Sequence, residues 1–300
     1  MIRLIVAFFL GSCYLSLSGQ VVLPSVYVQD WASSLNPAHR NLDSTMSNFG
    51  ITQRQLWLGN KNTPLSSILN WSWKKQAAQF GAKFERFSFG FYAFNDIRLT
   101  YSYAFRINSD AQVSFGLDVG TQQIQPKNRN IRVWDSGDHL FHNRSFNRTL
   151  SALYTGFGGQ LLWKNWTLGW SYPMANFYPV NINGDQVYSQ LLIPFDPRKY
   201  VTGSYTKKLP NSKQLKASFF IGKLLDSKAT SFTEWQGTIF MELPKMGYGL
   251  GLRSNGGVFL KTKFAVRPGW KIHYSGNILA TKNPQLGLGN HELGIYYSFQ

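Results

Sequence analysis

The sequence predicts an all-β fold: a transmembrane antiparallel up-and-down β-barrel with short periplasmic turns and longer outer loops. Three observations predict it. Polar and apolar residues alternate in repeated segments, and counting these gives about 14 strands. No stretch past the N-terminus approaches the ~18 uninterrupted apolar residues of a membrane helix. The composition is rich in aromatics and poor in charge, at 16% and 15% of the 300 residues, where soluble domains carry roughly a quarter charged residues. A mean hydropathy of −0.22 fits strands whose lipid-facing residues are diluted by polar lumen-facing ones. A large soluble β-sandwich is the alternative that composition leaves open.

The chain divides into a signal peptide (1–19), a periplasmic N-terminal segment (20–45) and the barrel (46–300). Arg3 supplies a positive charge, Leu4 to Leu10 an apolar run, and Ser16, Ser18 and Gly19 the small residues of a cleavage site. A second reading takes Leu10-Gly11-Ser12-Cys13 as a lipoprotein box with Cys13 lipidated. Cys13 is the single cysteine, so the mature chain has no disulfide, catalytic thiolate or Cys-based metal site.

Alternation is cleanest in Ala111–Val119, where Val113, Phe115, Leu117 and Val119 share one face and Gln112, Ser114, Gly116 and Asp118 the other. Ile97 to Ile107, Trp166 to Met174 and Trp270 to Tyr274 repeat the pattern. The polar faces carry Arg98, Arg106, Lys216 and Lys271, assigned here to a wet lumen because a dry core would not tolerate them. The expected strands are 47–58, 63–73, 79–92, 97–107, 111–123, 150–163, 166–174, 198–207, 213–223, 231–242, 246–253, 257–265, 270–280 and 290–300. Connections after even-numbered strands are then short, Lys164-Asn165 and Pro210-Asn211 among them. Both long connections, Ile124–Thr149 and Ala175–Pro197, follow odd-numbered strands, the asymmetry of outer-membrane barrels with an even strand number. Leu293, Ile295, Tyr297 and Phe299 form the apolar face of the closing strand.

Little in the sequence points to chemistry. Gly156–Gly159 and Gly247–Gly251 lie in alternating strands with no helix behind them, so they relieve crowding rather than bind phosphate. Asp135, Asp138, His139 and His142 are the densest group of metal-ligand residue types, in a loop where hydrophilic residues collect anyway. The reading is non-enzymatic, with no cofactor and no metal. A net charge of +17 is scattered without a basic run, which argues for lipid headgroups, glycans or proteins as partners and against nucleic acid. Lys74, Lys75, Lys207 and Lys208 fall in expected periplasmic turns and are candidate partner contacts.

Asn36-Pro37-Ala38, then Gln53-Arg54-Gln55-Leu56-Trp57 and Thr63-Pro64, resemble the PorP/SprF family of Bacteroidota, as do Tyr101–Arg106, Val113–Leu117 and the closing His291-Glu292-Leu293. The sequence departs from the family pattern at His39-Arg40 and in its first turn, Gly59–Asn62. The resemblance implies an outer-membrane component of the type IX secretion system. Implied partners are outer-membrane lipids, other type IX components, a secreted surface adhesin (gliding adhesins included) and periplasmic peptidoglycan-linked proteins. Asn36 and Pro37 then become candidate partner contacts, beside the simpler reading of a stiff turn ahead of the first strand. An alternative function is a channel or transporter for small or hydrophobic solutes, with the lumen cations as selectivity residues.

Overall fold

A computed structural model describes residues 35–40, 47–56, 63–89, 92–126, 150–177, 198–224, 233–254, 257–278 and 289–299. The signal peptide with Cys13, the Asp135–His142 group, and residues 127–149 and 178–197 of the two long connections lie outside these residues.

The fourteen strands are β1 (Ser47–Gln55), β2 (Leu65–Lys75), β3 (Ala78–Phe89), β4 (Tyr92–Arg106), β5 (Ala111–Pro126), β6 (Leu150–Trp163) and β7 (Trp166–Phe177). They continue as β8 (Arg198–Leu209), β9 (Lys213–Leu224), β10 (Thr233–Glu242), β11 (Met246–Arg253), β12 (Val258–Arg267), β13 (Trp270–Ile278) and β14 (Asn290–Phe299). Each pairs antiparallel with its sequence neighbours, and β14 pairs with β1 from Ser47↔Phe299 to Gln55↔His291, closing the ring. Among the described residues every strand has a hydrogen-bonded neighbour on both sides, which a bilayer requires because it offers no hydrogen bonds in exchange.

Burial is inverted relative to a soluble protein. Leu99, Leu117 and Leu250 on the outer face are 57%, 58% and 60% exposed, while Ser102, Ser114 and Ser275 on the inner face are each 1% exposed. The apolar surface is therefore an outward band that hydrocarbon covers, and the polar residues form the interior.

The connections after even-numbered strands are short, and two-residue turns place Gln76 (φ 52°) and Lys164 (φ 51°) in the left-handed region. That conformation matches the twist of the flanking strands. These turns, the start of β1 and the end of β14 share one end, called here the short-turn end. β4 begins at Tyr92, five residues before the expected 97, because Ala93, Phe94, Asn95 and Asp96 are all buried. With no face exposed there, period two vanishes from the sequence although pairing continues. β7 runs on to Phe177 through Pro173, which has no N–H to donate; the register slips between Thr155 and Gly156 opposite it.

Candidate functional site

The interior of the barrel is the candidate site, and alternation builds its wall. On β3 to β6 the inward positions hold Lys83, Glu85, Asp96, Arg98, Asp118 and Tyr154. Lys83 lies 2.7 Å from Glu85 and 3.4 Å from Asp96. Arg98 lies 3.7 Å from Asp96 and 3.4 Å from Asp118. Tyr154 donates its hydroxyl proton to Asp96 at 2.7 Å and accepts from Arg98 Nε at 2.7 Å, with the guanidinium 5.0 Å from its ring centre. Three carboxylates thus hold two cations and a phenol, so every charge in the group has a nearby countercharge.

Toward the opposite end of the strands, a second feature fills the wall of β5, β6 and β7. Residues 35–40 lie inside the barrel against it, not beneath it. Asn36 is 1% exposed, Ala38 0% and Arg40 3%. Asn36 Nδ2 donates to the Gly159 carbonyl at 3.0 Å, and its Oδ1 accepts from the Ala38 amide at 2.9 Å, closing a turn across Pro37. Ser114 Oγ donates to the Ala38 carbonyl at 2.7 Å. Gln160 Oε1 accepts from the Arg40 amide at 2.7 Å, and Gln160 Nε2 donates to the Arg40 carbonyl at 3.3 Å, so one side chain pairs with this backbone as a strand would. Arg40 finally donates to the carbonyls of Ala77 at 2.7 Å and Gln76 at 3.0 Å, gripping the β2–β3 turn at the short-turn end from within.

Glycine makes the seat. A β-carbon on Gly116 would collide with the Pro37–Ala38 peptide, and one on Gly158 with the Asn36 amide oxygen. On Gly169 it would lie 2.9 Å from Asn36 Nδ2. Gly116, Gly158 and Gly169 are therefore the floor of a cradle for the inserted segment, a close approach that a side chain would block, whereas Gly156 adjoins Asp118 and Gly159 the Trp170 ring. The Gly247–Gly251 run does similar work elsewhere: Gly247 and Gly249 adjoin the Phe240 ring, and Gly251 adjoins Phe259.

The residues singled out in the sequence are placed as follows. Arg98 faces the lumen within its carboxylate group. Lys271 also faces inward, 3.6 Å from Glu242, which lies 3.5 Å from Lys263. Lys216 is inward and half-buried, and Arg106 is exposed at the short-turn rim. Leu293 and Ile295 face lipid on β14, 54% and 48% exposed; Tyr297 and Phe299 follow on the same face with their rings stacked, centroids 5.6 Å apart. Asn36 and Pro37 are buried among the chain's own atoms, where neither presents a surface to a separate protein. Lys74 and Lys208 occupy inward positions at the short-turn end, and Lys75 and Lys207 outward ones. The sequence reading missed Ser114 and Gln160 as ligands of the inserted segment, and Arg40 as its clasp. Small residues at 116, 158 and 169, all on polar faces of neighbouring strands, were the signal for a seat.

Among the described residues no group of three or more His, Cys, Asp or Glu side chains is arranged to hold a metal ion. The sequence profile described as type IX secretion system membrane protein PorP/SprF matches residues 17–297. The chain belongs to that family. No curated relative matches it. Among solved structures, the CymD monoaromatic hydrocarbon channel aligns over 94% of this chain and 95% of its own, with a TM-score of 0.51 and 10% identity. The KdgM porin aligns over 84% and 99%, with a TM-score of 0.44 and 9% identity. A Pseudomonas aeruginosa FadL homologue aligns over 84% and 88%, with a TM-score of 0.39 and 12% identity. At these identities the likeness is one of fold. Family and fold together make this chain an outer-membrane β-barrel of the type IX secretion system.

Proposed function

We propose that this PorP/SprF member is a non-enzymatic barrel whose inner wall seats part of its own chain, a scaffold assisting the secretion or surface anchoring of partner proteins such as adhesins. The observation that carries the reading is the seating of residues 36–40 on the inner wall. A barrel that spends a stretch of its lumen on its own chain offers rims and loops to partners. The channel reading needs lumen cations free to meet a solute, whereas Arg98 and Lys271 are engaged by the chain's own carboxylates. The short-turn end is assigned to the periplasm, and the inward Lys74 and Lys208 at its mouth to an acidic periplasmic protein of the system.

Deleting the protein should abolish surface display of one secreted partner and leave small-solute uptake intact. In planar bilayers the purified barrel should give no steady conductance. Persisting adhesin display with failure of one nutrient's uptake would transfer the function to the channel class. Reversing Lys74 and Lys208 to Glu should lower co-purification of periplasmic components, and the wild-type association should weaken with salt, as steering by exposed charge does.

A further inference from the structure

Alternation splits the basic short-turn rim into two rings. Lys74 and Lys208 face the mouth, whereas Lys207 and Lys213 occupy positions that continue the outward, lipid-facing rows. Lys207 follows Tyr205 on β8, and Lys213 precedes Leu215 on β9, with Lys207 opposite Leu215 and Lys213 opposite Leu209. The two lysines are therefore diagonal neighbours on one outward surface. The β6–β7 turn brings a third: Lys164 sits at its tip, and the Asn165 carbonyl accepts from the Thr206 amide at 2.9 Å, fixing the tip beside Lys207. All three lysines are exposed. Among the described residues the one carboxylate paired with them, Asp110, reaches Lys164 only at 4.0 Å, with both side chains more than half exposed. Such a solvated pair neutralises little.

The residues above the lysines decide what faces them. Trp166 and Tyr205 pack with ring centroids 4.8 Å apart, and Trp163, paired in register with Trp166, is 52% exposed on the same outer face. Aromatic rings of this kind mark the level where hydrocarbon gives way to headgroups. Flexible lysines one or two residues nearer the turn end then lie at the depth of lipid phosphates, their stems along the apolar wall. A docked protein could reach only the turn tips from below, while the outward row is open sideways to the bilayer.

We propose that Lys164, Lys207 and Lys213, with Trp166 and Tyr205 above them, form a binding site for the headgroup of an anionic phospholipid in the leaflet at the short-turn end. The cations hold the phosphate, and the acyl chains run up the outer face past Val201 and Leu168. The site is independent of the lumen and of the secretion reading, since it needs only a barrel in a membrane.

The test uses the full-length protein in detergent micelles and in nanodiscs containing phosphatidylglycerol or cardiolipin in a phosphatidylcholine background. Native mass spectrometry should show anionic lipid retained on the wild type in preference to phosphatidylcholine. The triple variant Lys164→Gln, Lys207→Gln, Lys213→Gln should retain at least tenfold less, and Lys74→Gln, Lys208→Gln should retain as much as the wild type. A gel-mobility shift on heating confirms that each variant folds. Equal retention by the triple variant overturns the proposal. So does capture of soluble glycerophosphoglycerol as strongly as the lipid, which would make this a free-phosphate site. Unchanged lipid retention with lost recovery of periplasmic proteins would overturn it in favour of protein docking.

Discussion

Asn36 commits both ends of its side-chain amide to hydrogen bonds inside a membrane protein. Its amide donates to Gly159 and accepts from Ala38 while almost no surface remains open. Asn36→Ala removes both bonds and strands the Ala38 amide, which costs on the order of 1–3 kcal/mol. The urea midpoint in detergent should fall accordingly. Gly158→Leu acts more severely, because its side chain and Asn36 cannot share the site. We expect trypsin to cleave after Arg40 in that variant and to leave the wild type intact there, where Arg40 is 3% exposed. Resistance of both proteins would mean that the seat can accept a side chain. The family resemblance made Asn36 and Pro37 conspicuous as candidate partner contacts, whereas both are buried among the chain's own atoms. The bonds that hold this segment come from Ser114, Gly159 and Gln160, more than seventy residues downstream. No local pattern encodes that distance, although the inward glycines hinted at a close approach.

At the scale of the strand, legibility follows exposure. Where one face meets lipid and the other the lumen, as in β5 or β11, period two places the strand to within a few residues of its observed ends. It fails at the start of β4, where four consecutive residues are buried, and at Pro173, where a bulge absorbs the missing donor. Arg98 was legible as a lumen residue from parity. Its partner Asp118 was not, since that contact depends on the register of β4 against β5. The closing seam yields a prediction of its own. Every residue of β1 has a partner on β14, so removing Ile295–Gln300 exposes Ser47 to Ile51 as an unpaired edge. The truncated chain should be missing from outer-membrane fractions and degraded in the periplasm. Normal insertion would show that the barrel can close without those five pairings.

For the whole molecule, the sorting of connections by parity survived the structure because it depends only on strand number, and fourteen strands were expected. Orientation follows from the same sorting. Cysteines introduced at Asn143 and Gly184, which belong to the long connections outside the described residues, should react with an impermeant maleimide on intact cells. One at Asn211, in the tight β8–β9 turn, should react only after the outer membrane is opened. The reverse labelling would invert the barrel and move the basic rim to the cell surface. The removal of the signal peptide with Cys13 would leave each engineered thiol alone in its chain.

The clasp at Arg40 has a mechanical side. Gln160 on β6 holds the Arg40 backbone, and the Arg40 guanidinium holds the carbonyls of Gln76 and Ala77 in the β2–β3 turn. Around the ring β3 and β6 stand three places apart one way and eleven the other. Arg40 is thus a chord across the inside of the tube. A hollow cylinder yields most readily by flattening into an ellipse, and a chord tied at both ends stops the tied walls from moving apart. The barrel is thus braced from inside along one direction and left compliant along the other. A sideways pull on the rim would be borne unequally, with the stiff axis set by where six residues of the N-terminal segment happen to sit.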